Sequence, residues 1–123
     1  MEIKIRYTWK RKDDGKIWQD IVPVECLEGK GDVPFVLRDN SLWELVARDL
    51  WAGLKDKNGV DVYEGDICSG HSDGNGVITW SSFDGGYDYV FADEANVGIW
   101  EVIPFEVIGN IYENKELLKC NQQ

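Results

Sequence analysis

The chain has 123 residues, 43% of them hydrophobic and 12% aromatic, and a formal net charge of −10 at pH 7. That is enough apolar chain for one domain with a real core, which excludes a disordered polypeptide and a disulfide-stapled miniprotein. The apolar runs are too short for a transmembrane helix, and the alternating start Met1-Glu2-Ile3-Lys4-Ile5-Arg6 lacks a signal peptide's apolar core, so a cytoplasmic protein is expected.

Ile3, Ile5 and Tyr7 alternate with Lys4, Arg6 and Thr8, the period of a half-buried strand. Lys12-Asp13-Asp14-Gly15-Lys16 is a polar turn, and Ile17 to Val24 returns to β-favouring residues. The pattern predicts a hairpin over residues 1–25. Glu28 to Asp32 reads as a loop and Pro34 to Leu37 as a short extended piece. Ser41-x-x-Glu44 has capping-box spacing, and Leu42, Leu45 and Val46 share a helical face, so a short helix is expected there, with the alternation of Leu42, Glu44 and Val46 offering a strand as the alternative.

Gly53-Leu54-Lys55-Asp56-Lys57-Asn58-Gly59 leads into a turn, with Asn-Gly supplying positive φ angles. Val60, Val62 and Ile67 then place β-favouring residues around a second break, Glu64-Gly65-Asp66. Gly70 to Gly76 is polar and Gly-rich and reads as a loop. Strands are expected at Val77–Trp80, Tyr87–Phe91, Ile99–Ile103 and Phe105–Ile111, with Gly109 a bulge or close-approach point. Asn114 can cap a last helix from Lys115 to about Cys120. Strands at this spacing predict a mostly β fold, β-rich α+β, either a small barrel-like or a two-sheet antiparallel arrangement, with one or two short helices over a single domain 1–123.

Two stretches carry a resemblance. Gly53, Leu54, Asp56, Asn58 and Gly59 followed by Tyr63, Glu64, Gly65 and Asp66 (the central segment 53–67), and Gly109, Asn110 and Tyr112 in Glu106 to Leu118, resemble the signatures of the YopX family of small phage and prophage proteins. The resemblance implies a compact, mostly β, phage-encoded protein acting in the bacterial host cell. It supplies no activity.

The chemistry-bearing letters each have a plainer reading. Glu64 and Asp66 around Gly65 invite an acid–base role, but an Asp beside Gly also hydrogen-bonds turn amides. No nucleophile or basic anchor accompanies them. His71 and Asp73 near Ser69 and Ser72 have the letters of a triad inside a stretch too Gly-rich to hold one. Asp73-Gly74-Asn75-Gly76 lacks the remaining ligands of a calcium loop. Cys26, Cys68 and Cys120 have no paired spacing, so no metal or other cofactor is expected. A small cation-dependent enzyme around Glu64, Asp66, His71 and Asp73 is the alternative to a non-enzymatic protein.

Charge points to a partner class. From Asn58 to Asn114 there is no Lys or Arg, while Asp61, Asp73, Asp84, Asp88, Asp93 and Glu94 stand among eleven carboxylates. A field of that sign repels phosphates and steers cations, so a basic protein is the expected partner and nucleic acid is disfavoured. Self-association is a second expectation, motivated by six Trp and five Tyr. The basic N-terminal hairpin, with Lys10, Arg11, Lys12 and Lys16 beside Trp9 and Trp18, is the only part suited to nucleic acid.

Overall fold

The computed structural model describes residues 3–24, 41–83, 85–99 and 104–118. The chain divides into two compact units, residues 1–51 and 52–123. The extended piece at Pro34–Leu37, most of the strand expected at Ile99–Ile103, and Cys26, Asp84 and Cys120 lie outside the described residues.

In the first unit, strands β1 (Lys4–Arg11) and β2 (Ile17–Pro23) form the expected hairpin, with Thr8 opposite Gln19 and Trp9 opposite Trp18. Asp14 shapes the turn by accepting the Lys16 N–H at 3.0 Å. The region expected to be a short helix, with a strand as the alternative, is strand β3 (Trp43–Lys55), whose first part pairs antiparallel with β1. Thr8 faces Ala47 and Trp9 faces Leu45, so Val46 is the extra residue of a β-bulge. That insertion sets Leu42, Leu45 and Val46 at spacings that mimic a helical face. The pairing with β1 outweighs a capping box that leads into barely two turns.

One face of this sheet is polar and closed. Arg6 and Asp49 sit opposite each other, buried, with their charged groups 4.0 Å apart. Thr8 is fully buried beside them and accepts a hydrogen bond from Gln19 Nε2 at 3.2 Å. Lys4 lies over the Trp51 ring at 4.6 Å, and Arg11 pairs with Asp13 at 3.1 Å. Arg6, Lys4 and Arg11 thus make their contacts within their own unit.

The second unit begins with the end of β3 beside β4 (Asp61–Tyr63). A five-stranded antiparallel sheet follows, in the order β8 (Asn96–Gly98), β7 (Gly86–Phe91), β6 (Gly74–Ser81), β5 (Asp66–His71), β9 (Glu106–Asn110). Both units are therefore antiparallel β-structure. Neither sheet closes into a barrel, which decides between the two architectures expected from strand spacing. The stretch read as a loop over Gly70–Gly76 is a tight hairpin turning at Ser72-Asp73, because glycines here serve close strand packing rather than looseness. The last helix is a single 3₁₀ turn, Lys115–Leu118, started by the Leu117 N–H donating to the Asn114 carbonyl at 2.8 Å.

The second unit's core is Val62, Cys68, Ile78, Tyr89, Ile99 and Phe105. Tyr89 is its largest fully buried side chain, and its hydroxyl lies 2.8 Å from both the Cys68 and the Gly74 carbonyl oxygens. Burial raises its pKa to about 12. One phenolic proton thus serves two acceptors and ties β5 to the start of β6 through a residue of β7. Gly76 packs against the ring face, where a Cβ would fall inside the Tyr89 ring. Burial also pushes up the Cys68 thiol, so this free cysteine is an inert core residue.

Candidate protein-interaction surface and the signature clamp

The two signature stretches lie some fifty residues apart, and the fold brings them together. Asp56, buried in the turn after β3, accepts backbone N–H groups from Asn58 (2.8 Å) and Val60 (2.9 Å) on one carboxylate oxygen. Its other oxygen accepts the Val107 N–H of β9 at 2.9 Å. Lys57 N–H donates to the Phe105 carbonyl at 2.9 Å, and Asn58 Nδ2 reaches Glu106 at 3.3 Å. Burial raises the Asp56 pKa, but the Val107, Val60 and Asn58 donors and the Lys57 charge outweigh it, and the carboxyl titrates below its ordinary value of 3.8. This carboxylate is a backbone acceptor held ionised. It is no general base.

Asp66 has a related role one turn later. Its Oδ2 accepts the Tyr63 N–H at 2.8 Å across the break at Glu64-Gly65, and Asp66 pairs with Asn110 in the β5–β9 ladder. Gly65 has φ 90, donates its N–H to the Ile78 carbonyl at 2.8 Å and accepts from Ile111 at 3.0 Å. Both its backbone groups are thus engaged in a conformation that favours glycine. Gly65→Val is expected to cost roughly 1–3 kcal/mol through that backbone strain. Urea denaturation measures it, and an unchanged midpoint would remove the turn argument.

The second signature closes on itself as well. Asn110 Oδ1 accepts the Tyr112 and Glu113 N–H groups at 3.0 Å each, while its Nδ2 donates to Glu113 at 3.1 Å. Asn114 Oδ1 accepts the Asn110 N–H at 3.2 Å, and that side chain lies over Gly109, where a Cβ would stand 2.5 Å from the same oxygen. Gly109 is therefore a close-approach point. Ile67 faces Gly109 and Cys68 faces Val107, so Ile108 is the extra residue of an adjoining bulge. Gly53 takes positive φ within β3, and Gly59 does so in the turn after it. Leu54 packs against the core and Tyr63 is buried.

The letters that suggested catalysis are not assembled for it. Glu64 accepts the Trp80 N–H at 3.5 Å. His71 Nδ1 accepts the Asp73 backbone N–H at 2.9 Å, so the neutral ring carries its proton on Nε2. A triad needs the reverse, with Nδ1–H donating to the carboxylate. The ring itself packs edge-on to Phe91, centroids 5.0 Å apart. Among the described residues no cluster of His, Cys, Asp or Glu could hold a metal ion.

The acidic residues proposed for a partner surface divide. Asp73, Asp93 and Glu94 are exposed, at the β5–β6 and β7–β8 turns. Asp61 is half-buried and bound to Lys55 at 2.7 Å. Asp88, expected to face solvent, is 3% exposed and accepts from Asn96 Nδ2 at 3.4 Å, on the face of β7 opposite to the core residue Tyr89. Asp73 and Asp93 border a hollow of about 340 Å³ whose apolar lining includes Phe91 and Leu118. Sequence reasoning named the carboxylates but missed the hollow. Phe91 and Leu118 come from distant stretches, and the Asn75 side chain donating to the Leu117 carbonyl at 2.9 Å links the last turn to the hairpin. At the opposite hairpin end Phe83 is 96% exposed, beside Trp80, which meets Tyr87 edge-to-face. No helix of the described residues is long and apolar enough to cross a membrane.

A comparison with curated proteins finds no match. A family model does match, the one described as YopX protein, over residues 38–119, and it takes in β3, the whole signature clamp and the acidic hollow. Both signature stretches fall inside that span, and the chain belongs to the YopX protein family.

Proposed function

We propose that the second unit is a non-enzymatic docking module, phage- or prophage-encoded and working in the bacterial cytoplasm, that receives a cationic segment of a partner protein. The observation that carries this reading is the hollow with Asp73 and Asp93 at its border and Phe91 and Leu118 in its lining. A Lys or Arg side chain suits such a place. Its aliphatic stem packs on the apolar lining and its charged head meets the carboxylates. The absence of Lys and Arg from Asn58 to Asn114 adds a uniform field that attracts the same partner and repels nucleic acid.

The test is charge reversal at the exposed positions, Asp73→Lys, Asp93→Lys and Glu94→Lys together, with Asp88 left alone because it is buried. A partner recovered from host lysate should lose at least about tenfold in affinity for the triple variant, and wild-type binding should weaken steeply with salt. Equal affinity with the same salt dependence would show that the acidic rim is merely solvated.

A further inference from the structure

The strand β2 has an open outer edge among the described residues, since only β1 lies beside it. The hairpin's hydrogen bonds fix which backbone groups face that edge. Arg11 N–H donates to the Lys16 carbonyl and Val24 N–H to the Ile3 carbonyl, so the even-numbered residues of β2 bond to β1. Alternation along an antiparallel ladder then turns the N–H and C=O groups of Ile17, Gln19 and Ile21 outward. This edge is long and carries apolar side chains, with Trp18 45% and Ile21 44% exposed. Proteins usually blunt such an edge with charge, a bulge or a cover. Here the only charged side chain between Ile17 and Pro23 is Asp20.

We propose that β2 is a self-association edge, pairing antiparallel with β2 of a second copy about a two-fold axis through Gln19. Outward-facing backbone groups are satisfied by another strand, and three features select this chain's own strand in this register. Ile17, Gln19 and Ile21 all exchange backbone hydrogen bonds with Ile21, Gln19 and Ile17 of the second copy. The exposed Ile21 gains an apolar neighbour in Ile17. Trp18, whose indole N–H donates to Asp20 within its own strand at 3.0 Å, stands opposite the second copy's Asp20. Shifting the axis to Asp20 sets two carboxylates face to face, and shifting it to Trp18 places Ile21 opposite Gly15 in the turn, where no strand continues. The near-neutral strand lets two copies of a strongly acidic protein meet without opposing charges at the seam.

Sedimentation velocity from low micromolar to submillimolar concentration reads the proposal. A dimer should grow in with concentration, and Ile21→Glu should weaken it at least about tenfold by placing a charge at the seam. Gln19→Cys, in a Cys26→Ser, Cys120→Ser background, should give a disulfide-linked dimer, because paired Cα atoms at a two-fold stand about 5.5 Å apart. Leu45→Cys, exposed on β3, should not. A monomer throughout the range, a dimer indifferent to Ile21→Glu, or cross-linking at Leu45 but not at Gln19 would each overturn it.

Discussion

Asp56→Ala should lower the midpoint of thermal unfolding by about 10 °C. The substitution removes one carboxylate that accepts three backbone N–H groups, two within its turn and one from β9. Hydrogen bonds to a charged acceptor contribute roughly 1.5–3 kcal/mol each, and partial rehydration of the turn recovers some of that. A net loss of about 3 kcal/mol is expected, which for a chain of this size corresponds to the stated shift. Asp56→Asn should recover only part, since the amide offers one acceptor oxygen in place of two. Scanning calorimetry on the three proteins checks the order.

Gly76→Ala should cost as much through the core. The added methyl would occupy the space of the Tyr89 ring. Tyr89 is fully buried and its hydroxyl is fixed by the Cys68 and Gly74 carbonyls, so the ring can retreat only by abandoning those bonds. Overpacking costs about 1–3 kcal/mol and the lost hydrogen bond about 1 kcal/mol more. Urea denaturation should give a total near 3 kcal/mol. A loss under about 1 kcal/mol would mean that the ring has room the structure does not show.

These effects bear on what the sequence made legible. Period-2 alternation was enough for β1 and β7, and runs of β-favouring residues bounded by turn residues were enough for β2 and most of β6. Asn58-Gly59 and Glu64-Gly65-Asp66 were legible as turns because glycine at positive φ leaves a mark in composition. The first part of β3 was legible only as an alternative to a helix, because Leu42, Glu44 and Val46 alternate but the bulge at Val46 cuts the alternation short. The β5–β6 hairpin read as a loop because Gly76 serves Tyr89, a residue in another strand, and sequence pattern does not report who the neighbour is. The same limit hid the hollow. Carboxylates are visible as letters, whereas the burial of Asp88 and the meeting of Phe91 with Leu118 depend on register and topology.

The clamp also accounts for the family signature without catalysis. Asp56, Gly65, Asp66, Gly109 and Asn110 each satisfy backbone groups, hold a turn or admit a close neighbour. Interaction is then left to residues outside the clamp, which can vary while the fold is kept. The acidic hollow and the β2 edge are the two surfaces proposed for it, one in each unit.

The most direct measurement is the carboxyl pKa of Asp56, followed by the carbon chemical shift of its side chain through an acid titration. Burial alone would raise it, and the three backbone donors together with the Lys57 charge outweigh burial. A pKa depressed in the folded protein contributes stability that is present above the unfolded value of 3.8 and is lost as pH falls through the folded value. The account predicts a midpoint below 3.8, with an acid-induced loss of stability that is smaller in Asp56→Ala. A midpoint raised toward neutrality would instead mark a carboxyl poised for proton transfer, and would contradict the structural role assigned to the signature.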